Sequence, residues 1–443
     1  MKKRFFGTDG IRGTFNKFPI ITSFFYDLAK SIKITYPNIK KILIGKDTRE
    51  SGDDIERDIS TGLNRVGIKC HSCGLVSTPI LSFNTKKYNY DMGIMISASH
   101  NPYQDNGVKL FKRNGEKLSD IEELEIEKNI SINNISEIKQ NFDCKILSKN
   151  FTDYQEMMFK RFSQLSNFCQ KVVVDCSNGS LSYIAPLILK KLNFNYLNYA
   201  SKPNGKNINN NCGATFPKIL SELTIKNKAD IGISFDGDAD RVIFCDQFGK
   251  IVDGDFILAI LSLDLKSSGK LKNNTIVSTK MSNLGFRRFL KDNNIDCLLS
   301  DVGDRYVIDI MKKNQSSLGG EQSGHIIFSN NSYCGDGLFT ALSIIEILQK
   351  KKCSLATLCK KLYKKVPQKL INLKLTNDTN KVLSNSKIKG LLKNQIETED
   401  CDILLRKSGT ENLLRLMVQA DSQRKLDSIK NKFIDQIKQI DEK

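Results

Sequence analysis

The chain is predicted to be α/β, with three similar mixed-sheet α/β domains followed by a smaller α+β domain at the C-terminus. Three observations predict this. Short apolar or β-branched runs alternate with polar or glycine-containing loops and amphipathic helical stretches along most of the sequence. Polar stretches near Ser148–Thr152, Gln247–Asp253 and Thr376–Ser386 cut that alternation into pieces. The last piece reads differently, as two strands around a turn and then a helix. Domains at 1–150, 151–250, 251–370 and 371–443 follow, in keeping with roughly 100–200 residues per domain for a chain of 443.

Each element has its own signal. Lys41–Gly45 is a short apolar strand, followed by a polar loop to Gly52 and an amphipathic helix to about Val66. Ile68–Cys73 reads as the next strand. Its Cys70 and Cys73 read as buried thiols rather than half of a zinc site or a redox motif, because no second cysteine pair matches them. Met92–Ala98 is an apolar strand that runs into Ser99-His100-Asn101-Pro102. Val172–Cys176 is β-branched and leads through Ser177-Asn178-Gly179-Ser180 into a helix ending near Leu192. Asp230–Phe235 and Val242–Asp246 are strands on either side of an acidic loop. Thr275–Ser278, a helix from Ser282 and Cys297–Ser300 make a β-α-β unit, and Gly335–Lys352 is a long amphipathic helix. Asp402–Arg406 and Leu413–Gln419 are the strands of the last piece, after which Leu426, Ile429, Phe433 and Ile437 recur at helical spacing.

Composition narrows the function. With 40% hydrophobic and 26% charged residues the chain is neither collagenous, wholly disordered nor membrane-embedded. Its longest apolar run, around Leu338–Leu348, is broken by Thr340 and Glu346 and falls short of the ~18–20 residues a membrane helix needs. Lys2, Lys3 and Arg4 are followed at once by Thr8 and Asp9, which leaves no signal-peptide core, so a cytoplasmic location is expected. The net charge of +19 comes from lysines scattered among Asn and Ile, with no interleaving of basic and aromatic residues. Neither nucleic acid nor membrane is therefore an expected partner.

Four loops carry chemistry. Asp236-Gly237-Asp238-Ala239-Asp240-Arg241 places three carboxylates at alternate positions, where they repel one another unless a cation neutralises them. Such oxygens suit magnesium or calcium, and a solvated acidic turn is the other reading. An EF-hand fails, since its sixth position would be Arg241 and its twelfth Gln247. Ser97-Ala98-Ser99-His100-Asn101-Pro102 sets a hydroxyl at a strand end ahead of a rigid turn, without the elbow motif of a serine hydrolase. Its alternative is a structural Ser/Asn turn. Downstream, Asp105-Asn106-Gly107 reads as a tight turn that brings Lys109 towards the same place. Gly319-Gly320-Glu321-Gln322-Ser323-Gly324-His325 offers an acid, an amide and a hydroxyl to a sugar, or is a plain turn. Arg406-Lys407-Ser408-Gly409-Thr410-Glu411-Asn412, with Arg415, is a phosphate cradle of backbone N–H groups, hydroxyls and guanidinium forks, or a basic hairpin tip. In a lysine-rich chain the remaining arginines should mark sites that need the planar fork, and Arg12, Arg241, Arg305, Arg406 and Arg415 all lie in glycine-rich segments.

In this order, the four loops resemble the α-D-phosphohexomutase superfamily over essentially the whole chain. Several segments resemble its phosphoglucosamine mutase branch: Phe6-Gly7-Thr8-Asp9-Gly10-Ile11-Arg12-Gly13, Asn207-Ile208-Asn209 with Cys212-Gly213-Ala214-Thr215, Met281–Gly285, Val302–Val307 and Glu321–His325. The resemblance implies that Ser99 carries a phosphoryl group and that Asp236, Asp238 and Asp240, with a phosphoserine oxygen from Ser99, bind one Mg²⁺ per active site. Arg12, His100 and Lys109 would surround the reacting phosphate, Lys109 as a proton-transfer group. Glu321 and Ser323 would hold the sugar, and Arg241 and His325 belong to the substrate-binding set. Arg406, Ser408, Gly409, Thr410 and Arg415 would hold the phosphate that is not reacting.

The implied reaction interconverts glucosamine 6-phosphate and glucosamine 1-phosphate through a hexosamine 1,6-bisphosphate that also acts as activator, feeding amino-sugar and cell-wall precursor synthesis. The partner is then a small sugar phosphate and the chain a monomer or homodimer. A phosphomannomutase or phosphoglucomutase is the alternative within the class, with Gln322 favouring the first reading; a non-catalytic sugar-phosphate binder lies outside it. Two positions depart from the family pattern. Asn412 stands where Pro usually follows the Glu of the phosphate loop, and Lys280 replaces a small or apolar residue.

Overall fold

The computed structural model describes residues 3–131, 144–376, 379–396, 400–407 and 413–442. Alternating apolar residues in the strands need cover on both faces, and the chain meets that need with helix-flanked sheets of six, five and four strands and a last sheet of three. In the first sheet Lys41–Lys46 lies at the centre, parallel to Lys69–Leu75 and Met92–Ile96. Ile42 and Ile44 pack with the helices Thr22–Thr35 and Gly52–Arg65, while Leu43 points the other way towards Ile80 and Leu81 and joins the core shared with the next two sheets. The second sheet runs Ile251–Val252, Val242–Asp246, Ile231–Phe235, Lys171–Asp175, Asn195–Tyr199. The third runs Asp296–Ser300, Thr275–Thr279, Leu318–Gly320, Ile326–Phe328, and both are mixed. The last sheet is wholly antiparallel: Leu413–Ala420 lies between Gln368–Lys374 and Cys401–Lys407, packed by the helix Gln423–Asp441. The fold is thus three mixed α/β units and a smaller α+β unit.

Three local readings change. Asp105-Asn106-Gly107 is not a turn: Asp105–Lys112 is a strand, antiparallel to both Ile11–Thr14 and Met92–Ile96. The turn lies one step earlier, closed by Asn101 N to Ala98 O and Asp105 N to Pro102 O. The glycine serves close packing instead, since a Cβ on Gly107 would lie 2.3 Å from Ile11 O. Gly319 and Gly320 likewise belong to a strand, so the sugar loop is the tip of a hairpin rather than a free loop. Gly335–Lys352 shortens to Gly337–Lys351 because Asp336 caps it, accepting from Phe339 N at 3.0 Å. Cys70 and Cys73 are buried, and no disulfide joins the cysteines of the described residues. No helix among the described residues is long and apolar enough to cross a membrane.

Candidate active site

Two strand ends meet at the site, that of Met92–Ile96 and that of Ile231–Phe235. Ligand sites gather at the carboxyl ends of strands in such sheets. Ser99 has φ +52°, in the left-handed region, and is fully buried. That geometry aims Oγ at the second unit, where it donates to Asp236 Oδ2 at 2.6 Å, with His100 Nδ1 3.3 Å away. The approach is close because residue 237 is glycine: a Cβ there would lie 2.6 Å from Ser99 O.

Asp236, Asp238 and Asp240 offer oxygens within 4.8 Å of one another, all buried. Asp238 Oδ1 and Asp240 Oδ1 have no hydrogen-bond partner. Burial, then the charges of Asp240 and Asp238, push the Asp236 carboxyl up to about 8. Buried carboxylates with orphaned oxygens are a hard-cation donor set, so the residues present fit Mg²⁺. The protein supplies part of the compensation itself. Lys109 Nζ lies 2.7 Å from Asp238 Oδ2, 3.1 Å from Asp240 Oδ2 and 3.0 Å from Asp9 Oδ2. Burial alone would lower this ammonium, but Asp238, Asp240 and Asp9 raise it well above the ordinary lysine range. His100 goes the other way: burial, then the cations of Arg241 and Arg12, push it down to about 3, so its imidazole is neutral. Arg12 pairs with Asp9.

From the third unit, the hairpin tip docks on the metal loop. Val242 N donates to Gly324 O at 3.0 Å, and Arg241 bridges His325. His325 lies 3.5 Å from Asp240 and 3.6 Å from Asp304. Glu321 Oε1 accepts from Gly303 N at 2.9 Å, and Ser323 Oγ donates to Glu321 Oε2 at 3.4 Å. From the fourth unit, Arg406 and Arg415 stand directly opposite each other across two antiparallel strands. Burial, then the charge of Arg415, lowers Arg406, while Glu321 partly offsets them, and each guanidinium has a buried Nε without a partner. Ser408, Gly409, Thr410 and Asn412 lie outside the described residues.

Arg305 uses its fork within the protein. Its guanidinium is spent on the protein, with Nε to Thr8 O at 2.9 Å and the remaining nitrogens on Asp120 and Glu123. It ties the third unit to the first and is not free to hold a phosphate. Lys280 pairs with Asp301 on the surface. Three contributors escaped the sequence reading. Lys117 is a buried bridge between Asp9 and Asp304, and Thr78 donates to Asp238. Arg49 holds the loop of Ser99 from below, with Nη2 2.8 Å from Ser99 O. None sits in a glycine-rich loop, so composition gave no cue.

Four family models match the chain, each described as phosphoglucomutase/phosphomannomutase: alpha/beta/alpha domain I at residues 3–136, domain II at 152–249, domain III at 253–366 and the C-terminal domain at 370–436. A phosphoglucosamine mutase of Thermoanaerobacter sp. (strain X514) is 42% identical over 429 residues, covering 94% of each chain. One of Chlamydia felis (strain Fe/C-56) is 37% identical over 452 residues, covering 98% of this chain and 96% of its own. Among solved structures, the Aspergillus fumigatus N-acetylphosphoglucosamine mutase in complex with GlcNAc-6P and magnesium superposes with a TM-score of 0.67 at 16% identity, over 99% of this chain and 96% of that one. With full-length relatives at this identity and all four domain models in order, the chain belongs to the phosphoglucosamine mutases, isomerases of the α-D-phosphohexomutase superfamily.

Proposed function

We propose that the protein interconverts glucosamine 6-phosphate and glucosamine 1-phosphate, with Ser99 as the phosphoryl carrier. The observation that carries this is the buried Ser99 hydroxyl, 2.6 Å from Asp236 and beside two further carboxylates with orphaned oxygens. The names of the full-length relatives support the amino sugar as substrate. Asp236, Asp238 and Asp240, with an oxygen of phosphorylated Ser99, would hold Mg²⁺, which when bound neutralises charge on the transferring group.

The chain's own residues do the rest. Starting from phosphorylated Ser99 and the 6-phosphate, the bond between phosphorus and Ser99 Oγ breaks as one forms to the sugar O1. The Lys109 ammonium gives a proton to Ser99 Oγ and takes the proton of that sugar hydroxyl in return, so its charge is restored. The resulting 1,6-bisphosphate turns end for end. Ser99 Oγ then attacks phosphorus at O6, the bond from phosphorus to O6 breaks, and O6 takes the proton that Oγ gives up. Arg12, His100 and Lys109 face the reacting phosphate, Glu321 and Ser323 face the sugar hydroxyls, and Arg241 and His325 complete the substrate-binding set. Arg406 and Arg415 take the other phosphate, together with Ser408, Gly409 and Thr410. The twelve cysteines, without a disulfide among the described residues, suit a reducing cytoplasm.

Intact mass of the purified protein, before and after incubation with a hexose 1,6-bisphosphate and Mg²⁺, tests the carrier. One added phosphoryl group, absent in Ser99→Ala, is the expected result; no uptake by the native chain refutes it. Initial rates on glucosamine, glucose and mannose 6-phosphates then test the sugar, and a preference for glucose or mannose would move the protein to the phosphoglucomutase or phosphomannomutase reading.

A further inference from the structure

A left-handed backbone is strained at a residue with a Cβ, and Ser99 sits at φ +52°. The surroundings must hold it there, and they do so from two domains at once. Within the first, Arg49 is buried and spends every N–H on the serine loop and its support. Nη2 donates to Ser99 O at 2.8 Å and Asn101 O at 3.0 Å, Nη1 to Pro102 O and Asp105 O, and Nε to Asp47 Oδ2 at 2.9 Å. Asp47 Oδ2 also accepts from Ser97 Oγ at 2.6 Å, and Ser97 Oγ accepts from Ser99 N at 2.8 Å. From the second domain, Asn209 Nδ2 reaches the same two carbonyls, Ser99 O at 2.8 Å and Asn101 O at 3.0 Å.

The Asn209 contact duplicates two bonds Arg49 already makes, which a carbonyl with two lone pairs allows. It is kept at a cost, because Asn209 Oδ1 is buried without a partner. Its own backbone is fastened to the second domain through Asn209 N to Ser177 O at 2.9 Å. Thus Asn209 holds the Ser99 carbonyl while Asp236, from the same domain, holds the Ser99 hydroxyl.

We propose that Asn209 and Arg49 are positioning residues that together set the direction of Ser99 Oγ, so that the seating of the second domain on the first is transmitted to the reacting hydroxyl. A rotation about φ of Ser99 swings Oγ away from Asp236. Displacement of a reacting atom by as little as 1 Å can cost about a hundredfold in rate. Lysine cannot replace Arg49, since a point charge lacks the planar fork that spans four carbonyls.

The inference rests on the phosphoserine reading, so the native chain is first shown to take up a phosphoryl group from a hexose 1,6-bisphosphate; failure there overturns both and is recognisable from the native protein alone. Asn209→Ala and Arg49→Lys are then compared with it by kcat, KM, melting temperature and the ³¹P resonance of phosphorylated Ser99. Asn209→Ala should lower kcat by about tenfold to a hundredfold with KM within about twofold, and its ³¹P line should shift or broaden as Ser99 leaves one conformation. Arg49→Lys should show the same kcat-only signature more strongly; if it fails to fold, Asn209→Ala decides. Unchanged kcat in Asn209→Ala, or a loss that follows melting temperature with an unmoved ³¹P line, would overturn the proposal.

Discussion

Around Ser99 the backbone is fastened carbonyl by carbonyl, and the atoms left without partners include two carboxylate oxygens, Asp238 Oδ1 and Asp240 Oδ1, beside one donor, Arg241 Nε. Around Arg406 and Arg415 the atoms left without partners are donors, the two Nε groups, and two like charges face each other across a strand pair. The serine end thus offers open carboxylate oxygens to a cation, and the arginine end offers only open donors to an anion. A sugar phosphate with a divalent ion would fit both, and Glu321 only partly offsets the lowering of Arg406. The difference teaches how the work is divided. The serine end has its geometry set in advance, as charge development in a transition state requires. The arginine end keeps its binding capacity open for a phosphate.

Substitutions at the two ends should therefore fail differently. The largest effect is expected at Asp238, whose Oδ2 holds Lys109 and Thr78 and whose Oδ1 is orphaned. Asp238→Asn should lower kcat by about 10²–10³. It should also abolish the rise in melting temperature that Mg²⁺ gives the native chain, a shift equivalent to about 2.7 kcal/mol at a hundredfold excess over Kd. A variant that keeps the Mg²⁺ stabilisation would contradict the donor set. At the other end, Arg415→Ala should raise KM by about tenfold to a hundredfold, the worth of one charge-assisted bond, with kcat nearly kept. Steady-state kinetics check it, and a loss confined to kcat would erase the contrast between the ends.

The smallest effect is expected away from both. Asp255 is buried at the junction of the third and fourth units, accepts from Asn283 N at 2.7 Å through Oδ2 and has an orphaned Oδ1. Burial, then the Asp253 charge, pushes its carboxyl up to about 7. Between about pH 4 and 7 the folded chain holds a proton that the unfolded chain has lost, so this group lowers stability as pH rises through that window. Asp255→Asn should therefore melt a few degrees higher than the native chain at pH 8 and about equally at pH 4, by differential scanning calorimetry. A gain that is the same at both values would rule out the titration.

The parts legible in the sequence were those that scarcity made visible. Asp236, Asp238 and Asp240 crowd into one loop, and His100 and His325 are two of only three histidines. The misses share a physical cause, which is that their partners are distant in sequence. Asp105-Asn106-Gly107 carries turn letters, yet Gly107 is there because Ile11 O leaves no room for a side chain, a fact about a strand almost a hundred residues away. Arg305 obeyed the rule that arginine marks a need for a fork, and what the sequence left unread was the fork's partners, Asp120 and Glu123, more than 180 residues away. Asn209 lay inside a segment that matched the family without any stated chemistry, and only the docked second domain brings it to Ser99. The strands Asn195–Tyr199 and Gln368–Lys374 passed unnoticed because both are edge strands with mostly polar or half-exposed residues, so periodicity was weak.

Lys117 has a further consequence. One ammonium, buried, lies between Asp9 of the first unit and Asp304 of the third. If the two units part, Asp9 stays with the lysine and Asp304 alone loses its partner, so a separation too small to admit water leaves a buried carboxylate short of an ion pair. A wide separation would hydrate it instead, and this contact therefore resists small partings of the two units most strongly.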